Sequence, residues 1–271
     1  IWPRNGGFEM RFRKTGKDDI PQLKQLWLLS FDDTPQDAED FFRTLYPQAL
    51  GFAAEEDGVL QASVFALSQT IVAAERSVRA AYLYAVNTRP EARGKGLCRA
   101  LLAYAEKELK KRCIACLLLC PASEALAQSY ARMGFAPQRT AQIQDLPAPR
   151  PRGKADPITP AEYAGLRETL LYDVPHVRYS LPELRLQTAE GGFYALTLDG
   201  RYGCAAVRMC AGKTYVDEIL PDAGFLPALA QALPQKALHV RGPGGRDCYA
   251  MARWLDEAER LPEVYAAFGL E

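Results

Sequence analysis

The chain has 271 residues, of which 48% are hydrophobic and 24% are charged, a composition typical of a globular protein with a substantial core. Its 33 basic residues balance 33 acidic ones, so no excess of positive charge favours binding to nucleic acid or to a membrane surface. No uninterrupted apolar run approaches the roughly 18 residues needed to span a bilayer. We therefore expect neither a nucleic-acid partner nor a membrane partner.

The first residues and the cysteines bear on the cellular compartment. IWPRNGGFEM has neither the charged segment nor the apolar segment of a signal peptide, and Met10 is a candidate natural initiator, which leaves the origin of residues 1–9 open. The seven cysteines lie mostly in apolar runs and predict reduced thiols in a cytoplasmic protein. Because no second ligand pair follows Cys113, Cys116 and Cys120, we expect buried strand cysteines and no metal site.

The chain begins with alternating strands and helices. A short strand after Met10 precedes a helix that starts at Asp18 or Asp19, and a second helix is predicted in DAEDFFRTLY. The Asp57-Gly58 pair predicts a tight hairpin between two strands. These elements open a predicted mixed α/β domain.

The same domain continues with a strand in VRAAYLYAVNT, a turn that contains glycine, and a strong helix pattern. An apolar strand in CIACLLLCP follows, and then a helix in SEALAQSYARMGF with Ser123 as its N-cap and Gly134 as its stop. This alternation assigns residues 10–145 to the first domain.

A change of composition in DLPAPRPRGKADPITP predicts a linker near residues 145–160. Beyond it we predict a helix in TPAEYAGLRETLL, three strands in GGFYALTLDG, RYGCAAVRM and TYVDEIL, and a helix in GFLPALAQAL. A strand in ALHVRG and a helix in DCYAMARWLDEA complete the pattern. This succession resembles the first half, so a diverged duplication is expected over residues 158–271.

The segment Arg93-Gly94-Lys95-Gly96 stands directly before the strong helix. The first N–H groups of a helix have no internal partner and lie at its partly positive end, and glycine lets an anion approach the backbone. The segment therefore predicts a diphosphate site. It fits neither the nucleoside triphosphate loop nor the dinucleotide fingerprint, and the alternative is a surface turn that only starts a helix.

The stretch RPEARGKGLCRALLAYAEKELKKR resembles motif A of the GNAT superfamily of N-acetyltransferases. Arg93 takes the first position of that motif and Gly96 the fourth, while Cys98 stands where glycine or alanine is usual. SYARMGF matches the second signature, a tyrosine shortly before Gly-Phe. Together the two matches cover about residues 10 to 140, and they imply the GNAT fold, a mixed α/β sheet.

Within that superfamily the sequence looks most similar to the Eis-like branch. Those proteins carry a second, degenerate GNAT-like domain, which the resemblance implies for residues 158–271. No Arg-x-x-Gly-x-Gly follows TYVDEIL, so we expect no coenzyme motif there. The chain is too short for the third, sterol-carrier-like domain of the Eis proteins.

The resemblance implies acetyl-CoA (coenzyme A) as the cofactor. Its pyrophosphate would lie on backbone N–H groups, and its pantetheine arm would pair with the strand before motif A. The implied pyrophosphate residues, with Arg93 adding charge, are Gly94, Lys95, Gly96, Leu97, Cys98 and Arg99. The implied pantetheine residues are Val86 and Thr88.

Tyr130 matches the general acid of the family, although its aromatic ring could equally pack the helix onto the sheet. The general base stays open. RAAYLYAV contains no carboxylate, Glu75 lies farther upstream, and the terminal carboxylate of Glu271 is the counterpart of the base in the Eis-like branch. An ordered water is an equal alternative.

Aromatic and acidic side chains are candidates for the acceptor cleft. Tyr82 and Tyr84 share a face with Val86 if the strand alternates regularly, but packing is the commoner role of such tyrosines. Trp27, Phe31, Phe41 and Phe42 belong to a segment that covers the acceptor in this fold, with core as the alternative for Trp27. The acidic residues Asp32, Asp33, Asp37, Glu39 and Asp40 form a solvated surface or attract a cationic amine.

Two functions follow. The first is an acetyl-CoA-dependent N-acetyltransferase that acts on a primary amine of a small molecule or a peptide, and the retained Tyr130 favours it. The second is a non-catalytic acyl-CoA sensor or interaction module, favoured by Cys98 and by the missing strand carboxylate. Assembly into a homo-oligomer is left open.

Overall fold

The computed structural model describes residues 10–74, 76–138, 140–187, 191–210, 212–230, 232–233 and 237–269. The chain divides into two compact units. The first unit takes in the chain up to Ser68, Arg79–Leu119 and Trp254–Glu257, and the second takes in Gln69–Val78, Cys120–Arg253 and the chain from Ala258. Among the described residues, no helix is both long and apolar enough to cross a membrane.

Strands and helices account for most of the described chain. The strands are β1 Arg11–Lys14, β2 Leu50–Glu56, β3 Val59–Ala73, β4 Arg76–Thr88, β5 Cys116–Leu119, β6 Ala136–Gln138, β7 Ala141–Pro147, β8 Lys154–Ile158, β9 His176–Arg178, β10 Gly191–Leu198, β11 Arg201–Cys210, β12 Lys213–Leu220, β13 Ala237–Pro243 and β14 Ala250–Trp254. The α-helices are α1 Ile20–Leu28, α2 Pro35–Thr44, α3 Leu97–Lys110, α4 Glu124–Ala131, α5 Pro160–Leu170, α6 Leu181–Gln187 and α7 Leu226–Leu229.

In the first unit the strands follow the order β1, β2, β3, β4, β5. β1 and β3 both pair with β2 in antiparallel fashion, whereas β4 and β5 are parallel. The predicted hairpin is confirmed, because Asp57 and Gly58 both have positive φ, of 51° and 76°, as a tight turn between twisted strands requires. A parallel pair needs a crossover, and α3 supplies it.

The core of the first unit is aromatic. Trp27 is only 2% exposed, and its ring centroid lies 4.9 Å from that of Phe41 and 5.6 Å from that of Tyr84. Phe65 on β3 packs against Phe41 at 5.0 Å. Burial of such rings is a large part of the energy that holds helices on a sheet, so the core role of Trp27 is confirmed.

The helix that carries Phe41 is fixed by a capping box. The Thr34 hydroxyl accepts the N–H of Asp37 at 3.3 Å, and the Asp37 carboxylate accepts the N–H of Thr34 at 2.8 Å. Pro35 follows in the first turn, where its missing N–H costs nothing. The sequence prediction began this helix two residues too late, at Asp37, because it overlooked the box.

The second unit contains a six-stranded sheet in the order β7, β13, β12, β11, β10, β8. β10, β11 and β12 are antiparallel neighbours, and β12 is parallel to β13. The antiparallel β2–β3 pair and the parallel β4–β5 pair show the same pattern in the first unit. The mixed α/β fold class predicted from the sequence is confirmed.

Two sequence predictions are corrected in the second half. The proline-rich segment assigned to a linker near 145–160 contributes β7 and β8, which pair with β13 and β10. Pro157 interrupts neither, because edge strands tolerate a missing donor. The helix predicted in DCYAMARWLDEA is instead β14, antiparallel to β6, so pairing has overridden the helix propensity of Ala and Met.

The cysteine prediction is partly wrong. Cys116 on β5 is buried as expected, but Cys113 is exposed in the turn before β5 and Cys120 is only half-buried after it. Because β5 begins at Cys116, the apolar run CIACLLLC is longer than the strand it contains. The predicted boundary between the domains 10–145 and 158–271 stays a prediction.

Candidate functional site

The turn before α3 brings together the residues predicted to hold the pyrophosphate. Gly94 and Gly96 both adopt left-handed backbone, with φ of 74° and 79°. Gly96 is the N-cap, and the first hydrogen bond of the helix runs from the N–H of Ala100 to the Gly96 carbonyl at 3.1 Å. The two glycines are therefore required by the backbone conformation, which other residues adopt only with strain.

The surface above this turn is open. Within the described residues, no heavy atom lies within 4 Å of the Cβ positions that substitution of Gly94 or Gly96 would create. Glycine also supplies no side-chain acceptor for the amides of the first helical turn, which Asp, Ser or Thr would provide at this position. The arrangement suits an external anion as the partner of those amides.

Charge flanks the turn on both sides of Gly94. Arg93 and Lys95 are exposed, and Arg93 Nε donates to the Thr88 carbonyl at 3.0 Å. That hydrogen bond ties the turn to the end of β4 while leaving the guanidinium near the surface. Leu97 is 2% exposed and anchors the start of α3 in the core.

Cys98 is half-buried in the first turn of α3, and burial raises the pKa of its thiol above the ordinary value. The side chain is therefore a small neutral group next to the predicted phosphate amides. It adds bulk relative to the glycine or alanine that is usual in motif A, but no negative charge that would repel a phosphate.

β4 is distorted where the pantetheine arm is predicted to bind. Its parallel register with β5 runs from Ala80 to Tyr82, and Ala85 then has a positive φ of 48°. A non-glycine residue in this left-handed conformation is uncommon and persists only when its surroundings hold it there. Val86 and Thr88, both half-buried, follow the distortion.

The distortion changes the prediction for the tyrosines of β4. Tyr82 and Tyr84 do share a face, with ring centroids 6.1 Å apart. Val86 was expected on the same face only if the strand alternated regularly. Ala85 breaks that alternation, so this condition is not met. The next residue, Asn87, is buried and accepts hydrogen bonds from the N–H and hydroxyl of Ser63 at 3.0 and 2.9 Å.

Acidic groups lie near Tyr84. Burial raises the pKa of its phenol well above the ordinary value, and the charges of Asp33 and Asp37 raise it further. Asp33 is held by a hydrogen bond of 2.7 Å from Trp27 Nε1. Of the predicted acidic cluster, Asp33 and Asp37 are thus linked to the aromatic residues, whereas Glu39 and Asp40 pair with Lys24 and Arg43.

Tyr130 lies in the second unit, in the last turn of α4. Ser123 caps the helix by accepting the N–H of Leu126 at 3.3 Å, as predicted. Tyr130 is 7% exposed, and its ring centroid lies 5.8 Å from that of Phe135. Packing and a catalytic role are both compatible with this placement.

Two candidate bases, Glu75 and Glu271, lie outside the described residues. In the segment before Glu271, the residues from Val264 to Phe268 are buried. A Cβ on Gly269 would lie 2.8 Å from Tyr249 Oη and 3.1 Å from Cys120 Cβ. The segment thus ends, as far as it is described, beside the residue that follows β5.

Sequence reasoning missed the residues that hold this segment. The Tyr179 hydroxyl lies 3.0 Å from the backbone nitrogens of Ala267 and Phe268 and accepts both N–H groups. Arg241 donates to the Ala267 carbonyl. Neither side chain belongs to a recognisable motif, since each contact joins residues at least 26 positions apart.

A buried ionic cluster supports Tyr179. Its ring stacks under the Arg167 guanidinium at 5.0 Å, and Arg167 Nε donates to the Glu218 carboxylate at 2.8 Å. Tyr163 also donates to Glu218. Charged groups with 2% and 0% exposure persist only when paired in this way. In the part of the chain that the structure describes, no three His, Cys, Asp or Glu residues are placed to hold a metal ion.

Comparison with known proteins places these features in context. Residues 11–138 match the family model described as an acetyltransferase (GNAT) domain. No curated protein matches the sequence. Among solved structures, a probable N-acyltransferase from Enterococcus faecalis is 18% identical with a TM-score of 0.73, covering 92% of this chain and 73% of that one.

Two further structures are similar over the same share of this chain. A GCN5-related N-acetyltransferase from Kribbella flavida has a TM-score of 0.72 at 13% identity, covering 92% of this chain and 72% of that one. Eis1 from Mycobacterium abscessus has a TM-score of 0.62 at 13% identity, covering 92% of this chain and 74% of that one. At these identities the likeness establishes the fold, which is the one that the motifs implied.

Proposed function

We propose that the protein acetylates a primary amine with acetyl-CoA bound by residues 11–138, the part of the chain that matches the GNAT acetyltransferase model. The open, glycine-lined N-terminus of α3 is the observation that carries the proposal. A helix start with left-handed glycines at Gly94 and Gly96 suits a diphosphate. Arg93 and Lys95 add positive charge beside it.

The distorted end of β4 would hold the rest of the coenzyme. The parallel register with β5 covers Ala80 to Tyr82, and the left-handed residue Ala85 follows. Backbone groups of Val86 and Thr88 would then pair with the amides of the pantetheine arm, as a neighbouring strand would. This backbone pairing does not depend on the identity of the Val86 and Thr88 side chains.

The reaction is direct attack by the neutral amine on the thioester carbonyl. A C–N bond forms, the C–S bond breaks, the amine loses one proton and the departing thiolate gains one. We assign protonation of the thiolate to Tyr130, because a phenol with an ordinary pKa near 10 suits a thiol leaving group. The base stays open between Glu271, Glu75 and an ordered water.

The second unit supports the prediction that residues 158–271 hold no coenzyme. Its parallel pair β12–β13 corresponds to β4–β5, and Asp222 caps the short helical turn that follows β12. The Asp222 carboxylate accepts the N–H of Gly224 at 2.7 Å, so a fixed acid takes the place that a phosphate would need. α7 is also only four residues long, too short for a strong helix dipole.

The acceptor is proposed to carry positive charge in addition to the reacting amine. Asp33 and Asp37 lie close enough to Tyr84 to raise the pKa of its phenol, so negative charge and an aromatic surface occur together. Such surroundings attract cations. Asp33→Asn should raise the KM of a diamine, with Asp32→Asn as the control and a neutral monoamine as the second acceptor.

The proposal is tested by two measurements made side by side. Calorimetry measures acetyl-CoA binding, and thiol release is followed with a panel of polyamines, aminoglycosides, amino acids and peptides. We expect binding together with thiol release for at least one amine. Binding without thiol release across the panel would support the alternative, a non-catalytic acyl-CoA sensor, whereas no binding would refute both.

A further inference from the structure

The end of α4 is fastened by a residue from a distant part of the chain. The Tyr130 carbonyl accepts the N–H groups of Met133 at 2.9 Å and Phe135 at 3.1 Å, which closes the helix. The Met133 carbonyl in turn accepts a hydrogen bond from Nη1 of Arg253, a residue of β14 that lies 120 positions later.

Two further features hold Arg253 at this turn. Gly134 has a φ of 88°, and a Cβ at that position would lie 3.6 Å from the Arg253 guanidinium carbon. β14 pairs with β6 directly after the turn, with Ala252 opposite Ala136. The last turn of α4 contains no basic residue and Arg132 follows it as the C-cap, so Arg253 adds a second cation at the partly negative end of the helix.

We propose that Arg253 is a positioning residue for Tyr130 in acetyl transfer. The inference rests on the proposed function, in which Tyr130 protonates the departing thiolate. Because Tyr130 lies in the last turn of α4, a shift of the Met133 turn moves the phenol with it. A displacement of about 1 Å can lower the rate of an enzyme about 100-fold, so one hydrogen bond at this turn has a measurable consequence.

The test is a double-mutant cycle between Arg253 and Tyr130. Arg253→Met should lower kcat about 10- to 100-fold and change the KM of acetyl-CoA less than about 2-fold, because motif A lies in the other unit. Arg253→Lys should recover part of the loss. In the Tyr130→Phe background, Arg253→Met should cost nothing more. Arg178→Met, which removes an exposed arginine paired with Glu168, is the control.

An equal loss of kcat in both backgrounds would overturn the inference, because it would show a merely structural role. A measurement independent of turnover complements the cycle. In protein labelled with ¹³C at the tyrosine ring, the Tyr130 signal is identified by its loss in Tyr130→Phe. It should move in Arg253→Met and not in Arg178→Met.

The spectroscopic result separates the two proposals. An unmoved Tyr130 signal overturns the positioning role whatever the turnover. If the Tyr130 signal moves but the protein releases no thiol with any amine, acetyl transfer is refuted. The contact between Arg253 and Met133 then has no role in catalysis. If Arg253→Met does not fold, Arg253→Lys carries both comparisons, because a lysine keeps the charge and loses the planar donor group.

Discussion

Replacement of Gly96 by Asp and by Asn tests the pyrophosphate site through charge alone. The two side chains have nearly the same shape, and both tolerate the left-handed backbone that Gly96 adopts at a φ of 79°. Apart from the adjacent residues, no heavy atom of the described residues lies within 4 Å of the new Cβ, so space is open for both side chains to the same extent. The two variants should therefore fold with similar stability.

The expected difference in affinity follows from the geometry. A carboxylate at Gly96 would lie about 5 Å from a phosphate bound to the first amides of α3, and at an effective dielectric constant of about 20 the repulsion is about 3 kcal/mol. This corresponds to about a 100-fold difference in Kd for acetyl-CoA. Salt screens exposed charges beyond about 8 Å at physiological ionic strength, so part of the difference should persist there.

Titration calorimetry with acetyl-CoA provides the assay. Gly96→Asp should bind about 100-fold more weakly than Gly96→Asn, and the gap should narrow as salt is raised from about 50 to about 500 mM. The comparison is made between the two protein variants, so coenzyme analogues that lack a phosphate or the sulfur are not needed. Equal affinities of the two variants would refute the placement of the pyrophosphate at this helix start.

Three further predictions concern stability and the base. Burial would raise the pKa of Glu168, but hydrogen bonds from His176 and Arg178 lower it from 4.5 to about 2. The ionised carboxylate therefore stabilises the fold fully above pH 4.5, and this stabilisation is lost as the pH falls through 2. Urea unfolding should show that Glu168→Gln lowers the free energy of unfolding by about 1 kcal/mol at pH 7, after allowance for solvent screening, and by progressively less below pH 4.5. A difference between the two proteins that stays constant with pH would contradict this prediction. Phe41→Ala removes a ring that is 1% exposed and should lower the free energy of unfolding by about 3–5 kcal/mol in the same assay. A decrease below about 1 kcal/mol would contradict this prediction. Adding a few residues after Glu271 tests the terminal carboxylate as the base: lost turnover with unchanged coenzyme affinity would support that assignment, and retained turnover would rule it out.

Local signals accounted for much of the fold. Asp57-Gly58, Ser123 and the apolar periodicity of α1, α3 and α5 each specify structure through a few neighbouring residues, and these predictions are confirmed. Where partners come from far along the chain, local reasoning was wrong. β14 looks helical by composition, yet it is a strand because the edge of β6 is available to pair with it.

The candidate site divides in the same way. Motif A is continuous in sequence, so its residues could be named in advance and are found together at the start of α3. The contacts of Tyr179 with Ala267 and Phe268, and of Arg253 with Met133, join positions 88, 89 and 120 residues apart. No periodicity or motif predicts such pairs, because neither residue of a pair imposes a pattern on the residues next to it in the sequence.

The sequence alone determined that a helix would begin directly after Gly96, since glycine chemistry and helix geometry act over a few residues. The tertiary structure decided that the backbone of β4 would be left-handed at Ala85, which arginine would close α4, and that Val264 to Phe268 would be buried. Those outcomes depend on packing and on hydrogen bonds between distant residues, and such contacts exist only once the chain has folded.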